Sequence, residues 1–146
     1  MSAQNKTLAR RVFEEVYNQG KLTAADELAA GDFVIHMPSQ AIHGREGVKQ
    51  YVAMLRAGFP DIHFKIEEQV AEGDRVVTRW TAQGTHLGEF QGIPPTGKQV
   101  RVTGTDIDRI ANGKAVECWT NMDELGMMQQ LGVIPAPGQG GRAAGA

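Results

Sequence analysis

Apolar residues in the first part of the chain recur every three or four positions, which is the spacing of one face of a helix. This spacing predicts helices over residues 4–19, 23–30 and 45–58, with a short strand over 32–38. A glycine stands at or just after the end of each predicted helix, at Gly20, Gly31 and Gly58. Glycine is common at these positions because it adopts the left-handed conformation that ends many helices.

From residue 62 onward the apolar residues recur at every second position, which indicates half-buried strands. The alternation predicts four strands, over residues 62–67, 75–84, 99–110 and 114–122. A Gly-Asp pair precedes the second of these strands and an Asn-Gly pair precedes the fourth, and both pairs favour tight hairpin turns. Asp123 then begins a final helix that runs to Leu131 and ends at Gly132.

The order of these elements, with helices first and an antiparallel meander afterwards, predicts an α+β domain. Helices that cover one face of a twisted sheet leave room for a cavity between the two layers. We assign residues 1–134 to this single domain, which suits a chain of 146 residues. Residues 135–146 are rich in glycine and alanine, and we expect them to form a flexible tail.

Composition excludes several classes of protein. The net charge is −2 and no basic face stands out, so we expect no nucleic-acid partner. The single cysteine excludes an internal disulfide and a cysteine-cluster metal site. No apolar run approaches the roughly 20 residues that span a membrane, and the N-terminus lacks the apolar stretch of a signal peptide. We therefore expect a cytoplasmic protein.

The strand over 99–110 carries two carboxyl groups on the face that is predicted to point inwards. Asp106 and Asp108 share that face with apolar residues and a glycine, namely Val100, Val102, Gly104 and Ile110. Burial disfavours the charged form of a carboxyl group, so an acid here is a candidate general base or oxyanion donor. The structural alternative is a carboxylate that bonds to the backbone or lies in water at the strand end.

The neighbouring strands contribute further side chains to the same side of the sheet. Trp80 lies on the apolar face of its strand and lines either the core or the cavity. On the last strand we expect an inward set of Val116, Cys118, Thr120 and Met122 and an outward set of Ala115, Glu117, Trp119 and Asn121. An outward tryptophan needs cover, which favours a homodimer that forms through the outer face of the sheet.

Other candidate residues carry open alternatives. His36 is a candidate general base because an imidazole titrates near neutral pH, or else it is a structural histidine. The remaining histidines have no spacing typical of metal ligands, and we predict no metal. Cys118 fits a small buried hydrophobe better than a nucleophile. Tyr17 either points its hydroxyl into the cavity or packs in the core.

Several segments resemble the SnoaL-like polyketide cyclase family, also called ester cyclases, within the NTF2-like superfamily. The matching stretches are "DFVIHMP", "HGREGVKQYVAMLRAGFPDI", "VAEGDRVVTRWTAQGTHLGEFQGIPPTGKQV", "DRIANGKAVECW" and "DELGMMQQLG". The resemblance implies a cone-shaped α+β barrel with a deep apolar pocket, usually dimeric. Family members of known function close polyketide rings by intramolecular aldol chemistry without a metal or cofactor. Ketosteroid isomerases and limonene-epoxide hydrolases are relatives.

The residues that the family uses for acid/base chemistry are not all present at the matching positions of this sequence. The cyclases place an acid/base aspartate seven residues after the hairpin glycine, and counting from Gly113 gives Thr120. The histidine that accompanies that aspartate corresponds to Cys118. A second pocket histidine of the cyclases corresponds to Asp106, where ketosteroid isomerases also have an aspartic acid. Tyr17 falls near a tyrosine that lines the pocket in some relatives.

The leading hypothesis is a cofactor-free enzyme that removes a proton next to a carbonyl in a hydrophobic compound and then cyclises or isomerises it. Asp106 and His36 would share the acid/base work, with Tyr17 or Thr120 donating to the enolate oxygen. The predicted substrate-binding residues are Tyr17, Met54, Phe59, Trp80, Cys118 and Thr120. One alternative is a non-catalytic protein that binds a small molecule or assists an enzyme. Another is an epoxide hydrolase, which needs a further acid such as Asp108 or Asp123.

Overall fold

The structure is a computed structural model that describes residues 2–135. Its helical elements are α1 (Ser2–Arg11), a π-helix (Val12–Asn18), α2 (Ala24–Leu28), α3 (Gly44–Gly58) and α4 (Glu124–Leu131). Its strands are β1 (Ala29–His36), β2 (Ala41–His43), β3 (His63–Glu72), β4 (Arg75–Thr85), β5 (Gln99–Ala111) and β6 (Lys114–Met122). All but the first residue of the tail predicted over 135–146 lies outside the described residues.

The strands form one curved sheet in the order β2-β1-β6-β5-β4-β3. The pairing of β1 with β6 is parallel, and the other pairings are antiparallel. The predicted α+β class is therefore confirmed. The sheet does not close on itself, because β2 and β3 remain as edges. The predicted barrel is an open, curved sheet with helices packed against it.

The first predicted helix is α-helical only in its first part. After Arg11 the turns widen, and the N–H of Gln19 bonds to the carbonyl of Glu14 five residues earlier. The widened turns bury Phe13 and Val16. Tyr17, on the same segment, packs against both halves of the hydrophobic core. Sequence periodicity could not reveal this change, because residues four apart share a face in either kind of helix.

A β-bulge changes the predicted faces at the start of β6. Arg109 pairs with Glu117, whereas the next residue, Ile110, pairs with Ala115, so β6 has an extra residue at this point. Ala115 is consequently buried in the core, and Val116 is only half-buried. The predicted inward place of Val116 and outward place of Ala115 were wrong. Beyond the bulge the prediction holds, since Cys118 and Thr120 are buried.

The last helix begins and ends as the sequence predicts. Asp123 accepts a hydrogen bond from the N–H of Gly126 at 2.9 Å, and Gly132 adopts a left-handed conformation with φ of 83°. This N-cap role occupies the carboxylate of Asp123. Within residues 2–135, no helix is both long enough and apolar enough to cross a membrane.

Candidate functional site

A cavity of about 130 Å³ lies between the sheet and the helices that pack on it. Its walls are mostly apolar and include seven aromatic side chains: Phe13, Tyr17, Tyr51, Phe59, Phe64, Trp80 and Phe90. We call it the main cavity. Among the residues that the structure describes, its charged members are two acids, Asp106 and Glu124, and no lysine, arginine or histidine lines it.

Asp106 reaches the main cavity from β5 and is held there by neighbours on both adjoining strands. The indole N–H of Trp80 donates to Asp106 Oδ1 at 2.9 Å, and the Cys118 thiol lies 3.6 Å from Oδ2. Thr120 lies directly across on β6, and its hydroxyl favours the charged form of this carboxylate. One carboxyl group is therefore fixed in orientation on the wall of an apolar cavity.

Gly104 makes the bond between Trp80 and Asp106 possible. It pairs with Trp80 across β4 and β5, and the indole ring lies directly over it. A Cβ atom at position 104 would overlap three atoms of that ring. The missing side chain lets the indole lie across β5 and direct its N–H toward Asp106, two residues farther along the strand.

Burial raises the pKa of Asp106 from its ordinary value of 3.8 to about 6. The nearby donors of Trp80, Thr120 and Cys118 act in the opposite direction because they stabilise the charged form. A carboxylate of this basicity is mostly ionised at neutral pH and is a stronger base than an exposed aspartate. It can accept a proton from a bound molecule.

Two tyrosine hydroxyls lie near this carboxylate. Burial raises the pKa of both Tyr17 and Tyr51, and the charge of Asp106 adds to the effect in each case. Neither hydroxyl has a hydrogen-bond partner among residues 2–135, so both are free to donate to a ligand. Tyr51 lies within the helix predicted over residues 45–58, and no feature of the sequence distinguishes its hydroxyl from the rest of the apolar face.

Asp108 lies behind Asp106 rather than beside the main cavity. It borders a second cavity of about 30 Å³, which we call the inner cavity. Burial and the charge of Asp106 raise the pKa of Asp108 from 3.8 to about 8. Cys118 also lines the inner cavity and not the main one, which differs from its predicted place against the substrate.

The structure does not bring His36 to Asp106. The Nε2 atom of His36 lies 2.6 Å from Glu117 Oε2, and its ring stacks on Trp119 with centroids 5.5 Å apart. His36 is therefore on the outer face of the sheet, opposite to Ile35, which is buried in the core. The alternation in "DFVIH" already indicates this outward position, because Phe33 and Ile35 face inward and His36 is on the opposite face.

The other predicted substrate-binding residues divide into two groups. Tyr17, Phe59, Trp80 and Thr120 line the main cavity together with Asp106. Met54 lines neither cavity and is 37% exposed, because it lies on the solvent side of α3. We therefore leave Met54 and His36 out of the candidate site.

The side chains of Asp106, Asp108 and Cys118 have the chemical types of metal ligands, and their ligating atoms lie within 4.8 Å of one another. Both oxygens of Asp106 already accept hydrogen bonds from protein groups. The inner cavity around the other two residues is otherwise lined by apolar side chains and Tyr17. This arrangement does not match the open, oxygen-rich or imidazole-rich surroundings of common metal sites, and we assign no metal to it.

The sequence is similar to that of a known family of enzymes. The family model of SnoaL-like polyketide cyclases matches residues 7–131. The aklanonic acid methyl ester cyclase DnrD of Streptomyces peucetius is 28% identical over 138 residues, which are 90% of this chain and 92% of that protein.

Solved structures agree with the family match. IdmH of Streptomyces antibioticus, a candidate polyketide cyclase, is 37% identical with a TM-score of 0.78, over 88% of this chain and 99% of that chain. A SnoaL-like protein of Jannaschia sp. CCS1 is 28% identical with a TM-score of 0.84, over 92% of this chain and 95% of that chain. The chain therefore belongs to the SnoaL-like polyketide cyclase family.

Proposed function

We propose that this protein is a cofactor-free enzyme that uses Asp106 to remove a proton next to a carbonyl group of a hydrophobic compound, as the first step of an aldol cyclisation or an isomerisation. The observation that carries the proposal is an oriented carboxylate of raised basicity on the wall of an apolar cavity. The family match supports it, because the relative DnrD is named as a cyclase.

The chemistry requires only proton transfers and, in a cyclisation, one new carbon–carbon bond. The Asp106 carboxylate takes the proton from the carbon next to the carbonyl, and the electron pair of that C–H bond forms an enolate. In a cyclisation, the enolate carbon attacks a second carbonyl of the same molecule, and the resulting alkoxide takes the proton back from Asp106. In an isomerisation, Asp106 returns the proton to a different carbon and is regenerated. No electron is gained or lost in either sequence.

Tyr17 and Tyr51 supply the second requirement, which is stabilisation of the enolate oxygen. Their hydroxyls lack partners within the described residues and lie near Asp106. A donor that is already in place at a developing oxyanion contributes strongly in a site shielded from water. Thr120 is a weaker candidate for this role, because its hydroxyl already has a hydrogen-bond partner in the Cys118 thiol, 3.5 Å away.

The size and charge of the main cavity limit the substrate. An apolar cavity of about 150 Å³ accepts a benzene-sized ring, so a cavity of about 130 Å³ encloses roughly one ring. The only charged side chains on its described walls are acids, which disfavour a carboxylate ligand. A neutral carbonyl compound with one ring near Asp106 fits both limits.

The test measures exchange of the acidic α-proton of a neutral six-membered cyclic β-keto ester in D₂O by NMR. We expect the unmodified chain to accelerate exchange and Asp106→Asn to lose at least about a hundredfold, the usual scale for a general base. Glu124→Gln is the matched control, since it neutralises the other acid of the main cavity. Full exchange activity in a folded Asp106→Asn protein would sink the proposal.

A second candidate function is the binding of an apolar small molecule without catalysis. The observation that favours it is Thr120, a residue that cannot act as a carboxylate base at the position where the cyclases have their acid. This function predicts tight binding of the β-keto ester without accelerated exchange. The exchange assay therefore separates the two candidates.

We also propose that two copies of the chain associate through the outer face of the sheet. Val77, Ile107 and Trp119 pair in one row across β4, β5 and β6, and Ile107 is 38% exposed. An apolar row of this kind supports an interface. Ile107→Arg should convert a dimer to a monomer in sedimentation experiments, and a monomeric mass of the unmodified chain at micromolar concentration contradicts the proposal.

A further inference from the structure

Asp106 and Asp108 form a close pair with Cys118 between them. The two acids project from the same side of β5, and Cys118 is the cross-strand partner of Asp108 on β6. The sulfur lies 3.6 Å from Asp106 Oδ2, and the three ligating atoms all lie within 4.8 Å of one another. The two carboxyl groups are therefore close enough to interact strongly.

The two acids open into different spaces. Asp106 lines both cavities, whereas Asp108 lines only the inner cavity and is 9% exposed. The titratable groups around Asp108 are Asp106 from β5, Cys118 from β6 and Tyr17 from the π-helix. The residues of α2, α3 and β1 that line the inner cavity are apolar. Among residues 2–135, no cation lines this space.

Two adjacent carboxylates without a cation cannot both be ionised easily in an apolar setting, so the pair retains a proton at neutral pH. Hydrogen bonds decide which member carries the charge. Asp106 accepts a hydrogen bond from the indole of Trp80 at 2.9 Å, and such a bond stabilises a carboxylate. Within residues 2–135, the carboxyl group of Asp108 accepts no hydrogen bond from an N–H or O–H group, and the nearby Cys118 thiol contacts Asp106 Oδ2 instead.

We infer that Asp108 is a positioning residue that holds a proton behind the site and so keeps Asp106 ionised toward the bound molecule. Which of the two acids holds the proton follows from the different surroundings of Asp106 and Asp108, and it does not depend on catalysis. Its effect on turnover rests on the proposed function of Asp106.

A proton held on Asp108 makes the rate of the exchange reaction depend on pH. When Asp108 loses its proton at high pH, a second negative charge appears close to the site where the enolate oxygen develops. Like charges raise the energy of that enolate, so the exchange rate should fall on the alkaline side. Asp108→Asn keeps an uncharged side chain of the same shape at every pH and should remove this alkaline fall. A residue with a merely structural role would leave the shape of the pH profile unchanged.

The direct test is carbon-13 NMR of the full chain with its aspartate side-chain carboxyls labelled. At pH 7 we expect one protonated carboxyl signal from a buried aspartate, and Asp108→Asn should abolish it. Persistence of that signal in Asp108→Asn would place the proton on Asp106 and overturn the inference. The absence of any protonated carboxyl signal at pH 7 in the unmodified chain would overturn it as well.

If Asp108→Asn fails to fold, Trp80→Phe provides an independent way to assign the carboxyl signals to Asp106 and Asp108. This variant removes a hydrogen bond from Asp106 alone, so the ionised signal should move the most and the protonated signal should move little. The reverse pattern contradicts the inference. The NMR experiment detects which carboxyl group is protonated and needs no substrate, so its result does not depend on the proposed function. The exchange assay with Asp106→Asn tests catalysis alone.

Discussion

The indole N–H of Trp80 donates a 2.9 Å hydrogen bond to the carboxylate of Asp106 across neighbouring strands. This bond opposes the effect of burial and lowers the pKa of Asp106. Trp80→Phe keeps an aromatic ring and removes the donor, so the pKa of Asp106 should rise by about one unit, given the usual strength of a bond to a charged group. The acid limb of the exchange rate should move to higher pH by the same amount, and an unchanged limb would contradict this role.

Gly104 affects the same hydrogen bond sterically, because it leaves room for the indole ring of Trp80. Gly104→Ala places a methyl group into the indole ring of Trp80, and both are held by the sheet. We expect a loss of about 1–3 kcal/mol in the free energy of unfolding, the usual cost of overpacking, together with lower exchange activity. Urea unfolding measures the first effect. Gly31→Ala is the matched control, because its new methyl group would meet only the flexible end of Arg45.

Stability should fall as pH rises from about 5 to about 9. The folded state raises the pKa of Asp106 to about 6 and of Asp108 to about 8, so it retains protons that the unfolded chain releases near pH 4. The stabilisation from these two groups is complete below their unfolded pKa values and is lost as pH passes through the folded values. Thermal unfolding across this range checks the sign.

Asp108→Asn should flatten the upper part of that stability curve, because it removes the group that titrates last. Glu124→Gln, which removes the other acid of the main cavity, is the control. An unfolding temperature of the unmodified chain that rises steadily from pH 5 to pH 9 is the outcome that contradicts this prediction.

The hydroxyls of Tyr17 and Tyr51 should matter for turnover and little for folding. Each Tyr→Phe change removes a donor that has no protein partner within the described residues, so the unfolding free energy should change by less than about 0.5 kcal/mol. Loss of an oxyanion donor typically lowers turnover by about a hundredfold or more. Exchange rates and melting curves of both single variants test this. Equal rates in all three proteins would remove the tyrosines from the mechanism.

His36 should be dispensable for the exchange reaction. It lies on the outer face, where it contacts Glu117 and Trp119, and it lines neither cavity. His36→Ala should keep the exchange rate within about twofold, since surface changes away from the site have small effects. The rate at pH 7 is the measurement. A loss as large as that of Asp106→Asn would show that His36 reaches the reacting molecule.

Sequence periodicity predicted most of the elements and the inward direction of Asp106, because strand alternation assigns faces without knowledge of the fold. It misplaced Ala115 and Val116, because a one-residue bulge has no signature in an alternating pattern. It did not single out Tyr51, because periodicity predicts burial and not what a hydroxyl meets. Trp80 was placed inward, but its bond to Asp106 depends on the flat approach over Gly104, which only coordinates reveal.

The parallel pairing of β1 with β6 has a consequence for how the chain folds. His36 and Glu117, which meet across this pair, are separated by 81 positions in sequence. Contacts of such long range form slowly, because a large loop must close before they contribute. During synthesis, the helices and β1 must wait for β6 to leave the ribosome before the sheet is complete. Glu124 of α4, which follows β6, also lines the main cavity, so this cavity can exist only after nearly all of the described chain has been made.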